Sequence, residues 1–191
     1  MTKIKVKIVE GFRKTSSFGW RIVPKWKREF IRLNGMNAFE TLIKGLTIQR
    51  KETRDIIETG LKTSKVYQLP NPEKFSDIFK LHNGLDFVGS DTKLLAIADG
   101  IIIRSNYDDL SGNYIKIQHT FNGIEYVLSY CHLKNLVELK KGDMISVKKG
   151  EWIAVMGNSG VTSTGIHCHL TVKKVETGEI IDPETIFEFE V

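Results

Sequence analysis

Two histidines stand two residues apart near the end of the chain, in GIHCHLTVKK at residues 165–174. A β-strand turns alternate side chains to opposite faces. A strand here would therefore place His167 and His169 together on a polar face. The opposite, apolar face would be an ordinary core face with Ile166, Cys168, Leu170 and Val172. Two adjacent imidazoles can serve one metal ion or one reacting group. The pattern is equally typical of a solvated strand face with incidental histidines, and this segment alone does not choose between the two.

A second pair of potential metal ligands lies in HNGLD, where Asp86 follows His82 by four residues. Zinc binds imidazole and carboxylate groups, and a catalytic zinc site keeps three protein ligands and an open position for water. His82, Asp86 and one histidine of HCH would supply that set. An HxxxD pair alone occurs by chance and often caps a turn. The prediction of a zinc site therefore rests on HNGLD together with HCH.

A base must move protons beside such a metal, and the chain has no HExxH segment to supply a helix glutamate. The remaining histidine of HCH and His132, in YCHL, are the candidates for that work. The alternative for His132 is a half-buried strand histidine without a catalytic role. For His119, in KIQH beside Ile115 and Ile117, we favour that alternative.

The elements around these residues are predicted to be β-strands from about residue 94 onward. Short apolar and alternating runs are separated by turn signals, among them Asp99-Gly100, two Lys-Lys-Gly segments and Asp182-Pro183. Asn122-Gly123 between two such runs is a strong hairpin signal. The sequence therefore predicts a mainly β fold, an antiparallel sheet or sandwich.

Residues 34–62 have a different periodicity, with apolar residues at three- and four-residue intervals: Ala38, Phe39, Leu42, Ile43, Leu46, Ile56, Ile57 and Leu61. This spacing predicts two short amphipathic helices, broken around residues 47–50. We expect one peptidase domain over residues 1–191. In it, residues 25–80 form a helical insertion between an opening strand segment and the core at 81–188.

Composition limits the class of protein. The 191 residues, 41% hydrophobic and 27% charged, suit one globular domain. Residues 1–50 carry 12 Lys/Arg against 3 acidic residues, which indicates either an anionic partner or a solvated basic surface. No apolar run could span a membrane, and MTKIKVKIVEGF has a strand pattern rather than that of a signal peptide. Cys131 and Cys168 lack metal or redox spacing, so we expect small core residues, and nothing in the sequence supports the alternative of a disulfide between them.

Three blocks in this order resemble the signature blocks of the lysostaphin-type peptidoglycan endopeptidases: HNGLD, YCHL and GNSGVTSTGIHCH. SSFGWRIVP at residues 16–24 is similar to the segment that opens the domain in many members of that family. The resemblance covers roughly residues 11–24 and 81–188. It implies a zinc metallopeptidase with an antiparallel β-sheet domain and a substrate groove.

The resemblance also implies roles for individual residues. His82, Asp86 and His169 match the zinc ligands, and His132 and His167 match two histidines that act on zinc-bound water and stabilise the transition state. The implied reaction is hydrolysis of peptide stems or cross-bridges of bacterial peptidoglycan. No nucleic-acid partner and no membrane insertion are implied. The chain departs from the family pattern with Ile166 in place of proline, and with Leu170-Thr171 in place of an aromatic residue and glutamate.

The implied place of action is the bacterial cell wall. Without a signal-peptide pattern, the chain resembles a phage-encoded enzyme, either tail-borne or released as a lysin through a membrane pore. One alternative is a catalytically inactive wall-binding scaffold or activator, but all five site positions are filled. Another is a phosphotransferase-type carrier domain, whose β-sandwich is similar and whose histidine accepts phosphate. That alternative leaves His82 and Asp86 without a purpose.

Overall fold

The computed structural model describes residues 3–41, 79–138 and 143–191. The strands are β1 (Ile4–Val6), β2 (Arg13–Ser16), β3 (Gly19–Ile22), β4 (Phe79–His82), β5 (Leu85–Val88), β6 (Lys93–Leu95), β7 (Gly100–Asp108), β8 (Gly112–Phe121), β9 (Ile124–Leu133), β10 (Ile145–Val147), β11 (Trp152–Val155), β12 (Cys168–Lys174), β13 (Ile180–Ile181) and β14 (Phe187–Phe189). The helices are α1 (Pro24–Asn34) and α2 (Pro183–Ile186). Residues 36–41 are also helical, up to the point where the description stops.

The main sheet has the strand order β10-β7-β8-β9-β12-β5-β2, with β13 added beside β12. Every pairing in it is antiparallel, so the predicted antiparallel β class is confirmed. The β8–β9 hairpin turns at Asn122 and Gly123, whose φ angles are 52° and 79°. Two consecutive positive φ values match the right-handed twist of the strands, which is why Asn-Gly predicted this turn.

The core lies against one face of this sheet. Leu128 and Tyr130 on β9 and Leu170 and Val172 on β12 are fully buried, as period-2 alternation requires. Truncating one such leucine to alanine would cost about 2–5 kcal/mol, so this layer contributes much of the stability that fixes the strand register.

Cys131 and Cys168 are both buried, as the sequence predicted, and both are free thiols. Burial raises the pKa of the Cys131 thiol to about 12, which keeps it protonated and unreactive at neutral pH.

The chain divides into two compact units, residues 1–18 with 83–191 and residues 19–82. Most of the predicted insertion at 25–80, including most of the predicted helices at 34–62, lies outside the described residues, so that division stays a prediction. Helix α1 lies in the segment predicted as a helical insertion, ahead of the two helices predicted within it, and its own signal is the proline at its first position and Trp26 four residues before Phe30. Both aromatic side chains are buried. None of the described helices has the length and apolarity needed to cross a bilayer.

Candidate active site

Asp86 and His169 face each other across neighbouring strands. The register of β12 with β5 pairs these two residues directly, and cross-strand partners on one face of a sheet have their Cβ atoms close together. His169 Nδ1 lies 2.7 Å from Asp86 Oδ1, although 83 residues separate them in sequence. Both side chains are largely buried, with 14% and 17% of their surfaces exposed. The pairing of β5 with β12 thus brings HNGLD and HCH, which are far apart in sequence, into contact.

His82 completes a group of three potential metal ligands. It is the last residue of β4, and one ligand atom each of His82, Asp86 and His169 lies within 4.8 Å of the others. Zinc bonds to nitrogen and oxygen are about 2.0–2.2 Å long, so atoms on one ion lie up to roughly 4 Å apart. Side-chain adjustments of under about 1 Å would let the three residues share an ion. Two imidazoles and a carboxylate are zinc donors, so the residues present fit zinc.

A further set of groups surrounds the His169 ring. Asn83 Oδ1 and Thr171 Oγ1 each lie 3.2 Å from His169 Nε2, where they can orient the imidazole. Gly84 leaves room for that ring, because a Cβ at this position would lie 2.6 Å from His169 Nε2 and 2.5 Å from the Leu170 carbonyl oxygen. Sequence reasoning assigned no role to these three neighbours. The glycine inside HNGLD was the available signal for one of them.

His132 reaches the site because β9 contains a bulge. The β8–β9 register pairs Ile115 with Tyr130 but Asn113 with Leu133, so β9 has one residue more than β8 over this stretch. His132 lies within the bulge and has a φ of 62°, which is unusual for a residue other than glycine. Strict alternation after the buried Tyr130 would have turned His132 into the core. The bulge instead brings its ring within 4.8 Å of that of His167, measured between centroids.

The environment of His132 sets its protonation. The side chain is 5% exposed, and burial lowers its pKa, with the neighbouring His167 and His169 adding to the effect. Its Nδ1 lies 2.8 Å from the Ser159 carbonyl oxygen. Since a carbonyl only accepts, we assign the proton of the neutral ring to Nδ1. Nε2 is then left with a lone pair that can take a proton.

His167 is held in a similar way. Its Nδ1 lies 2.8 Å from the Gly165 carbonyl oxygen and 3.3 Å from Ser163 Oγ. The hydroxyl of Ser163 in turn lies 2.6 Å from Asn158 Oδ1, within the same loop. The carbonyl contact assigns the Nδ1–H tautomer to this ring too. The two candidate catalytic histidines therefore share one arrangement, with a backbone carbonyl on Nδ1 and Nε2 as the basic atom.

His119 has a different environment. It is 1% exposed, and its Nδ1 lies 3.0 Å from the Asp99 carbonyl oxygen. Burial lowers its pKa. The ring packs against Phe121, and no ring contact joins it to the other histidines within the described ranges. It is a strand histidine as expected, although it is fully rather than half buried.

Known proteins are similar to the chain over this same region. Residues 80–183 match Peptidase family M23. The chain is 38% identical over 116 residues to an uncharacterized metalloprotease of Buchnera aphidicola, covering 59% of this chain and 29% of the relative. It is 35% identical over 134 residues to the peptidoglycan DD-endopeptidase ShyA of Vibrio cholerae, covering 68% and 29%. The chain thus spans less than a third of the length of these curated relatives.

Solved structures include similar chains as well. A zinc containing peptidase from Vibrio cholerae shares 31% identity over 53% of this chain and 29% of that chain, with a TM-score of 0.43. The LytU structure shares 31% identity over 56% of this chain and 72% of that chain, with a TM-score of 0.44. The family match spans the candidate ligands and the three sequence blocks that predicted the resemblance, and it covers more than half of the chain. The chain therefore belongs to peptidase family M23.

Proposed function

We propose that the chain is a zinc-dependent endopeptidase that hydrolyses peptide stems or cross-bridges of bacterial peptidoglycan. The observation that carries this proposal is the convergence of His82, Asp86 and His169 within 4.8 Å. His132 and His167 lie beside that group, with ring contacts to each other and from His132 to His169. Relatives named as peptidoglycan DD-endopeptidases support the substrate class.

The metal site is formed by the two imidazoles and the carboxylate. A zinc ion held there would polarise a peptide carbonyl and lower the pKa of a water molecule. Three protein ligands leave a position open for substrate and water. Asn83 and Thr171, at 3.2 Å from His169 Nε2, hold the ring so that Nδ1 stays directed at the position that Asp86 also faces.

His132 and His167 handle the protons. The Nδ1 atoms of both rings are occupied by backbone carbonyls, so Nε2 of either ring accepts the proton that the attacking water releases. The imidazolium formed in this way then donates the same proton to the nitrogen of the leaving amine as the peptide C–N bond breaks. A positioned acid or base of this kind contributes roughly 10²–10⁴-fold to the rate.

The alternatives explain less of the site. An inactive wall-binding scaffold does not require a ligand set with two neighbouring histidines, and all five residues are present. A phosphotransferase-type carrier uses one histidine and gives no role to the Asp86–His169 contact. We place the action of this chain at the bacterial cell wall, and its phage origin stays a prediction.

The test measures metal content and turnover on the same preparations, with purified peptidoglycan of several chemotypes as substrate. His169→Ala removes a proposed ligand and should release zinc. His167→Ala and His132→Ala should keep zinc and slow turnover by roughly 10²–10⁴-fold. Their double variant should lose less than the product of the two effects, because groups that act on one water are not independent.

The matched control is His119→Gln, which alters a histidine outside the cluster and should keep both zinc and turnover at a temperature where it is folded. Zinc lost from His167→Ala but kept by His169→Ala would reverse the assignment. Normal turnover in both variants would remove the peptidase proposal.

A further inference from the structure

Three segments of the chain meet at Ser159. Its Oγ accepts a hydrogen bond from the Asn113 backbone N–H at 2.9 Å and donates one to the Leu133 carbonyl oxygen at 2.8 Å. Asn113 of β8 and Leu133 of β9 are paired in the sheet, and this is the first regular pair after the bulge that contains His132. The carbonyl of Ser159 itself faces His132 Nδ1 at 2.8 Å. One serine therefore contacts the beginning of β8, the end of β9 and the bulged histidine between them.

The packing around Ser159 leaves little room for it to move. Gly112 has a φ of +63°, and a Cβ there would lie 2.3 Å from Ser159 Oγ. Gly160 has a φ of +84°, and a Cβ there would lie 2.5 Å from the Gly112 backbone nitrogen. Both positions thus need glycine for conformation and for space. The segment around Gly112 and the segment around Gly160 therefore lie backbone against backbone. The Val161 N–H donates to the Asp109 carbonyl oxygen at 2.7 Å and extends this contact.

The backbone of His132 depends on the same contacts. A φ of 62° is costly for a residue with a side chain and persists only where the surroundings determine it. The His132 N–H donates to the Ser111 carbonyl at 2.8 Å, beside Gly112. Bulges next to active sites redirect side chains. Here the bulge supplies the direction of the ring, while a hydrogen bond to Nδ1 is needed to fix its rotation and tautomer.

We propose that Ser159 is a positioning residue for His132. Its hydroxyl anchors residue 159 at two points, so that its carbonyl stays on His132 Nδ1 and Nε2 stays the basic atom. This inference rests on the proposed function, in which that Nε2 takes the proton. The hydroxyl does not touch the substrate in this proposal and acts only through the histidine.

The experiment compares Ser159→Ala, Ser159→Thr and the wild-type full chain, each loaded with zinc. Side-chain ¹⁵N resonances of His132, assigned by their loss in His132→Ala, report which ring nitrogen carries the proton when the imidazole is neutral. We expect the Nδ1–H form in the wild type and a mixture of tautomers in Ser159→Ala. The kcat of Ser159→Ala should fall by roughly 10–100-fold with little change in KM, since a misplacement of about 1 Å can cost about 10²-fold. Ser159→Thr, which keeps the hydroxyl, should restore both properties.

Ser146→Ala is the matched control. Ser146 is an exposed serine on β10, so this variant should have the wild-type tautomer and kcat. A wild-type tautomer in folded Ser159→Ala would overturn the proposal, whether or not its kcat falls. If Ser159→Ala does not fold, Ser159→Cys takes its place, because a thiol is similar in size to the hydroxyl but a weaker donor and acceptor. This variant must then show the mixture of tautomers. A wild-type tautomer there would also overturn the proposal. The ¹⁵N spectra need no substrate, so the tautomer is measured independently of activity. If the wild type cleaves no peptidoglycan, the proposed function is refuted, while the role of Ser159 is still decided by the spectra.

Discussion

Replacing Gly84 with alanine should weaken zinc binding without removing any ligand. The φ of Gly84 is not in the left-handed region, so alanine can adopt its backbone conformation. The added Cβ would lie 2.6 Å from His169 Nε2, 2.7 Å from Cε1 of the same ring and 2.5 Å from the Leu170 carbonyl oxygen. The substitution therefore isolates one effect, which is pressure on the His169 imidazole and the strand beneath it.

The size of the effect follows from which neighbour can move. Ordinary contact begins at 3.4 Å, so the distance from the new Cβ to the ring must grow by roughly 0.8 Å and the distance to the carbonyl oxygen by roughly 0.9 Å. Leu170 is paired on both sides, with Tyr130 of β9 and Leu85 of β5, so its carbonyl is held in place. The backbone at residue 84, between His82 and Asp86, must therefore shift as well as the His169 ring. Changing the groups that orient a metal ligand typically costs about 10–100-fold in metal affinity, or about 1.4–2.8 kcal/mol, and we expect a loss of this size here. Overpacking without metal should cost about 1–3 kcal/mol, offset by about 0.4–1 kcal/mol from the less flexible unfolded chain.

The assay is competition for zinc against a chromophoric chelator, with thermal unfolding of the metal-free protein measured in parallel. Gly165→Ala is the matched control for affinity, because a Cβ at Gly165 meets nothing within 4 Å and Gly165 also has no left-handed φ. We expect Gly165→Ala to bind zinc like the wild type. Wild-type zinc affinity in Gly84→Ala would refute the argument that this glycine makes room for a ligand.

Two other predictions concern metal and pH. Removal of zinc by a chelator should abolish peptidoglycan hydrolysis, and added zinc should restore it. Elemental analysis should find one zinc per chain, and full activity in a verified metal-free sample would contradict the site. Burial lowers the pKa of His119 in the folded chain below its ordinary value of 6.5, so the unfolded chain binds this proton first and stability should fall as pH drops from about 6.5 through the folded pKa. His119→Gln should make the free energy of unfolding depend less steeply on pH, by up to about 1.4 kcal/mol per pH unit. Denaturant titrations at several pH values measure this slope, and an unchanged slope would show that His119 does not titrate in this way.

Local physics made several features readable from the sequence. Asn122-Gly123 adopts positive φ at both residues, so the β8–β9 turn could be predicted without knowledge of its surroundings. Alternation placed Cys168 on the buried face, with His167 and His169 on the other. It was wrong for Ile166, which is 60% exposed because β12 begins only at Cys168. The residue types of the candidate metal ligands were also readable, because two imidazoles and a carboxylate already define a donor set. Helix α1 lies in the segment predicted as a helical insertion, and its proline and aromatic spacing are a local signal for its start.

The tertiary structure decided how these parts meet. Asp86 lies opposite His169 because the core fixes the register of β5 against β12, a relation between strands that no local pattern contains. His132 would face the core by alternation after Tyr130, and only the bulge against β8 turns it toward His167. Gly84 acquires its role solely from the distance to a ring 85 residues later in the sequence. Strand period and donor chemistry are properties of neighbouring residues, whereas register, bulges and close approaches depend on packing between segments that are far apart in the chain.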